Sequence, residues 1–294
     1  MKKLFLLMTG LLIVSCSNDD SASSDANAKT NLYSITVDNP DESYSSEEKK
    51  MTFYKGKLLN IKHLYGNRDD YYYSNNLVSE IYGYTFNNKV GTKLAYAYDG
   101  KGRIIAITET FFIEDGERAN RYFFTYTGNK ILIRFGTPES RILSELTVDA
   151  NNNIISEKSL DENGTISHEC TFTYTNGNLT SYTDNSLSDM PITRAYTYTA
   201  LKNNFNYNQY LFGKEWKMNF SLDNYINGNG LTKPMEAVSE NLPSGFIQDN
   251  NGIRTIEATI DYSFNDKNQL IKESRLTNTT NSSPIRKELI YDYR

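Results

Sequence analysis

The sequence is poor in the residue types that bind metals and carry out catalysis. Its 294 residues include two histidines, two cysteines and one tryptophan. Two His and two Cys are too few for a Cys/His zinc cluster. The sequence also lacks a phosphate-binding glycine loop, a dinucleotide fingerprint and a nucleophile elbow. We therefore expect no metal site, no cofactor and no catalytic residues.

An excess of basic residues is also missing, and apolar residues are few. Lys and Arg number 31 against 36 Asp and Glu, so a basic footprint for nucleic acid is excluded. The hydrophobic fraction is 38% even with tyrosine counted, and the 23 tyrosines outnumber the 14 phenylalanines and the single tryptophan. Such a composition argues against a parallel sheet buried on both faces. It favours antiparallel sheets with one solvated face and tyrosines at the boundary.

The first fifteen residues have the composition of a secretory signal peptide. Met1-Lys2-Lys3 precedes an apolar stretch from Leu4 to Val14 that is too short to span a bilayer. The segment Ile13-Val14-Ser15-Cys16 resembles a bacterial lipobox. The resemblance implies that Cys16 becomes the mature N-terminus and carries a diacylglyceryl chain and an acyl group such as palmitate, two lipids that together anchor stably. An ordinary signal peptide with an incidental cysteine is the alternative.

Residues 16–30 form a polar segment rich in Ser, Asp, Asn and Ala, which cannot bury a core and is predicted to be a flexible tether. Its beginning, Ser17-Asn18-Asp19-Asp20-Ser21, resembles the surface-export tag of Bacteroidetes lipoproteins. That resemblance implies an outer-membrane protein that faces the cell exterior. A tether without export, which leaves the protein facing the periplasm, stays open.

Residues 31–294 are predicted to form one hairpin-repeat domain, and one repeated pattern dominates it from about residue 50. Aromatic residues alternate with Thr or small polar residues, a turn rich in Asn, Gly, Asp and Lys follows, and an aliphatic strand leaves the turn. Aromatic or aliphatic anchors at positions 98, 126, 148, 174 and 198 lie 28, 22, 26 and 24 residues apart. Period-two alternation around Asn-Gly turns is a strong hairpin signal. We predict one β-hairpin per repeat.

The alternation also predicts the two faces of each strand. In Thr171-Phe172-Thr173-Tyr174-Thr175, the aromatic residues point to one side and the threonines to the other. Consecutive hairpins are expected to add up to an all-β antiparallel meander, a long twisted sheet with an aromatic inner face. The pattern does not decide whether the sheet stays open, closes into a barrel or folds into a sandwich.

One copy of the repeat carries a sharper resemblance. Tyr98-Asp99-Gly100-Lys101-Gly102-Arg103-Ile104 resembles the YD repeat of Rhs-type proteins, and the body from about residue 50 to 294 is similar to YD-repeat-like surface lipoproteins of Bacteroidetes. The other copies keep the aromatic and aliphatic positions and lose the Asp and Gly-Arg. The resemblance implies a hairpin sheet in a surface or periplasmic setting, and it implies no catalytic residues.

The repeated hairpin pattern is interrupted between residues 203 and 254, and this segment is predicted to be an irregular insertion. The segment has its own aromatic residues, including Tyr210 and the lone Trp216. A cap over the end of the sheet and a loop that grips a ligand are the two interpretations. Trp216 and Tyr210 are the candidate ligand-binding residues, suited to stacking on a sugar.

Only one cysteine is left once Cys16 is assigned to the lipid. Cys170 lies on a strand-like run, and His168 two residues earlier shares its face. A small buried hydrophobic residue is the expected role of Cys170. A catalytic pair is not expected, because nothing else in the run supplies a group that orients the histidine.

These features favour a lipid-anchored outer-membrane protein that acts as a non-enzymatic binding or scaffold module. Its expected partners are the membrane, through the lipid, and a glycan or an envelope protein. An enzyme that hydrolyses glycans with Asp or Glu on the inner sheet face is the alternative, and a purely structural envelope component is a third possibility.

Overall fold

The computed structural model describes residues 32–38, 40, 49–185, 191–203, 239–280 and 282–293, and these form eighteen β-strands. The strands are β1 (Leu32–Asp38), β2 (Lys49–Tyr54), β3 (Lys57–His63), β4 (Arg68–Ser74), β5 (Leu77–Tyr84), β6 (Val90–Tyr98), β7 (Ile104–Ile113), β8 (Gly116–Thr127), β9 (Lys130–Phe135), β10 (Ile142–Val148), β11 (Ile154–Leu160), β12 (Ile166–Thr175), β13 (Asn178–Asp184), β14 (Ile192–Lys202), β15 (Asn241–Asn250), β16 (Ile253–Phe264), β17 (Leu270–Thr279) and β18 (Ser282–Tyr293). Over the same residues, no helix has the length and apolar character needed to cross a bilayer.

Each strand pairs antiparallel with the next strand in the chain, as the hairpin repeat predicts. Several of the turns between them are closed by an Asp or Asn side chain. Asp99 Oδ1 accepts hydrogen bonds of 2.9 Å from the backbone N–H groups of both Lys101 and Arg103, and Gly102 between them has a φ of 78°. The same arrangement recurs at Asp149, Asp161 and Asn265. These five-residue turns are Asx turns that need a residue tolerant of positive φ at their fourth position.

The sheet closes into an eighteen-stranded barrel, one of the three arrangements that the sequence left undecided, so the predicted long twisted sheet does not stay open. β1 pairs with β2 on one side and with β18 on the other, for example Ile35 with Met51 and with Tyr291. Closure pairs both edges that an open meander leaves exposed. The closing strand, β1, lies before the recognisable repeat, so the repeat pattern gives no sign of it.

The two ends of the barrel are distinguished by which strands begin and end there. We call the end where β1 begins and β18 ends the terminal rim, because Leu32 pairs there with Tyr293. The turns after Tyr98 and Thr175 lie on this rim, and so does the connection from Lys202 to Asn241. We call the opposite end, where β12 begins and β13 ends, the far rim.

The two faces of the wall differ as predicted. On β12, Phe172 is 6% exposed and belongs to the larger apolar cluster, whereas Thr171 and Thr173 are exposed on the outside. The register carries this alternation around the ring, because paired residues share a face. Outward positions of β12 to β14 are Glu169, Thr171, Thr173, Thr175, Ser181, Thr183, Thr193, Ala195 and Thr197. On these three strands the outer face is thus largely polar, unlike the apolar band of a lipid-facing barrel wall.

A ladder of tyrosines fastens the hairpins to one another near the terminal rim. Six tyrosines at the ends of even-numbered strands donate hydrogen bonds of 2.6–3.0 Å to carbonyl groups of the preceding strand. The pairs are Tyr73 with Leu58, Tyr98 with Val78, Tyr126 with Ile104, Tyr198 with Leu179, Tyr262 with Pro243, and Tyr293 with Leu270. The ring fills the inner face while the hydroxyl satisfies the backbone, which explains the abundance of tyrosine.

The predicted insertion at 203–254 is wrong at its C-terminal end. Asn241–Asn250 forms the regular strand β15, which pairs with β14 and β16. Pro243 and Gly245 disguise it, since both residues are rare inside strands. Pro243 is accommodated at an irregularity in the register, opposite Tyr198. Residues 204–238, on which the choice between a cap and a ligand-binding loop depends, lie outside the described residues.

Candidate functional site

The motif with the sharpest family resemblance has a structural role. The Tyr98 hydroxyl is bonded to the Val78 carbonyl, and Asp99 closes the turn. The Arg103 guanidinium bonds Asp99 at 2.7 Å and lies 4.1 Å from the centroid of the Tyr126 ring in the next hairpin. Tyr98 and Arg103 therefore join this hairpin to its neighbours, while Asp99 closes the turn itself.

The inner face brings His168 and Cys170 into contact near the far rim. They share a face of β12, as expected, and His168 Nε2 lies 2.9 Å from Cys170 Sγ. Asp184, directly opposite Cys170 on β13, places its Oδ1 at 3.6 Å from the same nitrogen. The three ligand-type atoms all lie within 4.8 Å of one another. We call His168, Cys170 and Asp184 the inner triad.

The inner triad is shielded from solvent and surrounded by polar side chains. His168 is 3% exposed and Cys170 is 1% exposed, and the Tyr182 hydroxyl donates a 2.8 Å hydrogen bond to Asp184 Oδ2. Glu157, fully buried, is paired with Cys170 across the β11–β12 ladder. His168, Ser159 and Ser144 are paired in one row across three neighbouring strands. A buried polar atom of each has no hydrogen-bond partner: His168 Nδ1, Ser159 Oγ and Ser144 Oγ. Buried polar atoms are normally paired, so this cluster has unused binding capacity.

The electrostatics of the inner triad disfavour a nucleophilic thiolate in the protein alone. Burial raises the pKa of the Cys170 thiol, and the Asp184 and Glu157 carboxylates raise it further. Burial likewise raises the pKa of the neighbouring Tyr182 hydroxyl. A reactive cysteine needs the opposite, an electropositive surrounding that lowers the thiol pKa. Burial and the neighbouring acids therefore favour the neutral thiol of Cys170.

The sequence alone revealed two of the three members of the inner triad. The spacing of His168 and Cys170 predicts a shared face, and this prediction is confirmed. The group that accompanies the histidine, Asp184, lies on the following strand and joins it through the β12–β13 register. The geometry of a tight hairpin turn normally fixes such a register, but one bulge between Thr173 and Tyr174 shifts the pairing by a residue. The sequence gives no signal of that shift.

A second candidate site lies on the outer wall, where three tyrosines interrupt the polar surface. Tyr72 on β4 and Tyr82 on β5 meet edge to face with their ring centroids 5.4 Å apart. The Arg68 guanidinium lies 4.4 Å from the centroid of the Tyr84 ring, and Lys93 Nζ lies 5.1 Å from that of Tyr82. We call Tyr72, Tyr82 and Tyr84, which face outward with these basic groups, the tyrosine platform.

Charged side chains hold the tyrosine platform in place. Glu80 accepts a 2.6 Å bond from Lys93 and a 3.4 Å bond from the Tyr82 hydroxyl. Arg68 bonds Asp70 at 2.9 Å. Burial and the adjacent Tyr84 raise the pKa of the Tyr72 hydroxyl, so this residue stays neutral. Although Tyr72 takes part in these contacts, it remains 46% exposed.

Small residues lie beside the tyrosine platform. The outward positions of β6 and β7 next to it include Gly91, Ala95, Ala97 and Ala106. Beyond them, Phe123 on β8 faces outward opposite Ala106. Three inter-strand spacings separate β5 from β8, or about 14 Å. The outer wall between the tyrosines and Phe123 thus carries several small side chains.

Three residues predicted from the sequence to be functional have no described position. Cys16, the expected lipid attachment site, lies outside the described residues, as do Tyr210 and Trp216, the expected ligand-binding residues.

Glu109, an acid of the inner face that a hydrolase could use, is 7% exposed and receives a 3.4 Å hydrogen bond from Asn120. A polysaccharide cannot reach Glu109 or the fully buried Glu157 from solvent.

Comparison with known proteins yields similarity only in structure. No protein-family model and no curated protein sequence matches the chain. A porin-like protein from Bacteroides uniformis is 13% identical with a TM-score of 0.47, and the match covers 90% of this chain and 98% of that one. A porin-like protein from Bacteroides vulgatus is also 13% identical, with a TM-score of 0.38 and coverage of 90% and 99%. The Photorhabdus luminescens Tc holotoxin pore is 16% identical with a TM-score of 0.25, covering 79% of this chain and 12% of the toxin chain.

Proposed function

We propose that this chain is a lipid-anchored outer-membrane protein, facing the cell exterior, whose barrel is a non-enzymatic module that binds a glycan. The tyrosine platform is the observation that carries the proposal. Tyr72 is 46% exposed with Tyr82 and Tyr84 half-buried beside it, and aromatic rings grouped on a surface are typical of binding sites. Tyrosine suits sugars, since its ring stacks on their apolar faces while its hydroxyl and the neighbouring charged groups reach their hydroxyls.

Attachment through a lipid, with the barrel itself in water, accounts for the chemistry of the outer wall. The lipobox-like segment that ends at Cys16 supplies the anchor, and the polar tether at 16–30 gives the barrel distance from the membrane. The Thr-rich outer face of β12 to β14 gains nothing from lipid contact. The surface-export resemblance at Ser17–Ser21 supports exposure to the cell exterior.

The glycan proposal is tested by binding of the full chain to an array of bacterial and host polysaccharides, followed by calorimetry with the best ligand. We expect Tyr82→Ala and Tyr72→Ala each to weaken binding by about ten-fold or more, as loss of roughly 1.5 kcal/mol of aromatic contact implies. Tyr54→Ala is the matched control, because Tyr54 is 60% exposed on the outer face of β2 but outside the platform. If no polysaccharide on the array binds, the glycan proposal is wrong and the scaffold function is the one that remains.

The location is tested separately by protease treatment of intact cells that produce the protein. Release of the barrel fragment is expected when the protein faces outward. Complete protection, with release only after the outer membrane is opened, would show that it faces the periplasm. Cys16→Ser is expected to move the protein from the membrane fraction to the soluble fraction.

A further inference from the structure

We infer that the inner triad, with His168 Nε2, Cys170 Sγ and an Asp184 carboxylate oxygen as ligands, is a binding site for a transition-metal ion of the zinc type. This inference is independent of glycan binding at the outer wall. It departs from the expectation based on counting histidines and cysteines, because a carboxylate completes the ligand set.

The arrangement of the atoms favours a metal over a catalytic triad. In a catalytic Cys–His–Asp arrangement, one ring nitrogen contacts the nucleophile and the other is bonded to the orienting acid. Here Cys170 Sγ at 2.9 Å and Asp184 Oδ1 at 3.6 Å both approach Nε2, and Nδ1 has no partner. Three different ligand atoms that converge on one point are what a bound cation requires.

The distances agree with the size of a tetrahedral zinc site. Bond lengths of about 2.0–2.3 Å place neighbouring ligand atoms roughly 3.5 Å apart. The separation of 3.6 Å between His168 and Asp184 meets this value, and the His168–Cys170 pair at 2.9 Å has to open by about half an ångström. All three atoms lie within 4.8 Å of one another, so only small side-chain movements are needed.

The type of ligand and the surroundings narrow the choice of ion. Thiolate and imidazole favour Zn²⁺ and its chemical relatives over Ca²⁺ and Mg²⁺, which prefer oxygen. Three protein ligands leave a fourth position for water. Ser159 is paired with His168, and Ser144 with Ser159, and both hydroxyls are buried without a hydrogen-bond partner. A cation here also offsets the negative charge of Asp184 and the nearby Glu157.

The test is titration of the metal-free full chain, with Cys16→Ser and no polyhistidine tag, with Co²⁺ and then Zn²⁺. Cys16→Ser leaves Cys170 as the only thiol. We expect one Co²⁺ per chain, with a thiolate-to-cobalt charge-transfer band and the visible bands of a four-coordinate ion, both displaced by Zn²⁺. A titration without the charge-transfer band, or with no saturable binding, would overturn the inference.

Variants identify the ligands. Cys170→Ser should abolish the charge-transfer band, and Cys170→Ser or Asp184→Asn should weaken Zn²⁺ binding at least about 100-fold, more than loss of an outer-sphere contact costs. His63→Ala is the matched control, because His63 is the only other histidine and also contacts an aspartate, Asp69 at 3.1 Å. Unchanged binding in Cys170→Ser and Asp184→Asn would contradict the assignment.

A measurement on the unsubstituted triad removes the dependence on variants that fail to fold. Zn²⁺ should raise the melting temperature of the Cys16→Ser chain in a concentration-dependent way. It should also slow modification of Cys170 by a thiol reagent. If Zn²⁺ leaves both the melting temperature and the thiol reactivity unchanged, the triad is not a metal site.

Discussion

At the scale of single residues, the aromatic and acidic positions that make the repeat recognisable serve to fasten backbone to backbone. Tyr98 satisfies a carbonyl of the preceding strand, and Asp99 satisfies two N–H groups of its own turn. Both tasks arise because a hairpin leaves backbone groups that water reaches poorly. The repeat therefore keeps these residue types for stability, and a functional site has to be sought elsewhere in the molecule.

The contribution of the tyrosine ladder can be measured by removing one hydroxyl group. Tyr98→Phe leaves the ring in place and deprives the Val78 carbonyl of its 2.6 Å bond, so we expect a loss of about 1–2 kcal/mol in unfolding free energy. Urea denaturation of both proteins measures it. Tyr54→Phe, on an exposed ring, should change stability by less than about 0.5 kcal/mol. Equal effects of the two substitutions would argue against the ladder.

The Asx turn predicts a difference between two substitutions of Asp99. Asp99→Ala removes the acceptor of both backbone bonds and should cost about 1–3 kcal/mol, whereas Asp99→Asn keeps an acceptor, as Asn265 does in its own turn. Thermal unfolding of the two variants provides the comparison.

The stability of wild-type protein relative to Asp99→Asn should also depend on pH. Burial alone raises the pKa of Asp99, but hydrogen bonds from Arg103 and Lys101 and the Arg103 charge hold it below its usual value. A carboxyl group with a lowered pKa stabilises the fold above its unfolded pKa of about 3.9. The advantage over Asp99→Asn should therefore persist at neutral pH and vanish as pH falls through the folded pKa. An advantage that is constant down to pH 2 would contradict this account.

At the scale of strands and hairpins, the sequence predicted the features that depend on a few neighbouring residues and missed those that depend on pairing between strands. The alternation around Phe172 and the turn at Asn176-Gly177, where both residues have positive φ, belong to a few neighbouring residues, so the sequence suffices. β15 escaped prediction, because Pro243 and Gly245 contradict strand preference and are tolerated only through the register with β14 and β16. The pairing of Asp184 with Cys170 was missed for the same reason, since it too depends on inter-strand register.

Gly245 should be far less replaceable than Gly100. A Cβ atom at Gly245 would lie 2.3 Å from the carbonyl oxygen of Ala258 on β16. Gly245→Ala thus has to push two strands apart and should cost about 1–3 kcal/mol. Gly100 is the control, because a Cβ atom there would have no heavy atom within 4 Å, and Gly100→Ala should be neutral or slightly stabilising. Chemical denaturation of both variants decides between these outcomes.

At the scale of the whole molecule, closure into a barrel is the property that the sequence could not supply. Whether eighteen strands close depends on twist and stagger summed around the ring, and no single hairpin records that sum. The decisive contact joins β1 to β18, which are more than 240 residues apart in the chain. An open stack of repeats frays from its ends, whereas a ring has none.

Closure predicts that a defect in β1 affects the entire barrel. Thr36 lies on the outer face between Lys50 and Ile290, so Thr36→Pro leaves the inner core intact and removes a backbone hydrogen-bond donor. We expect a loss of about 2–3 kcal/mol and association through exposed strand edges, seen by size-exclusion chromatography. Thr36→Ala should remain monodisperse. Unaltered stability and size in Thr36→Pro would show that the ring does not depend on this strand.

The first described strand begins at Leu32 on the terminal rim, so a chain anchored at Cys16, as proposed, is joined to the barrel at that end. Sixteen positions separate Cys16 from Leu32, at most about 50 Å of extended backbone. In the proposed arrangement the terminal rim, with its tyrosine ladder, is therefore the tethered end of the barrel. The inner triad lies near the far rim, at the end of the barrel farther from the attachment point.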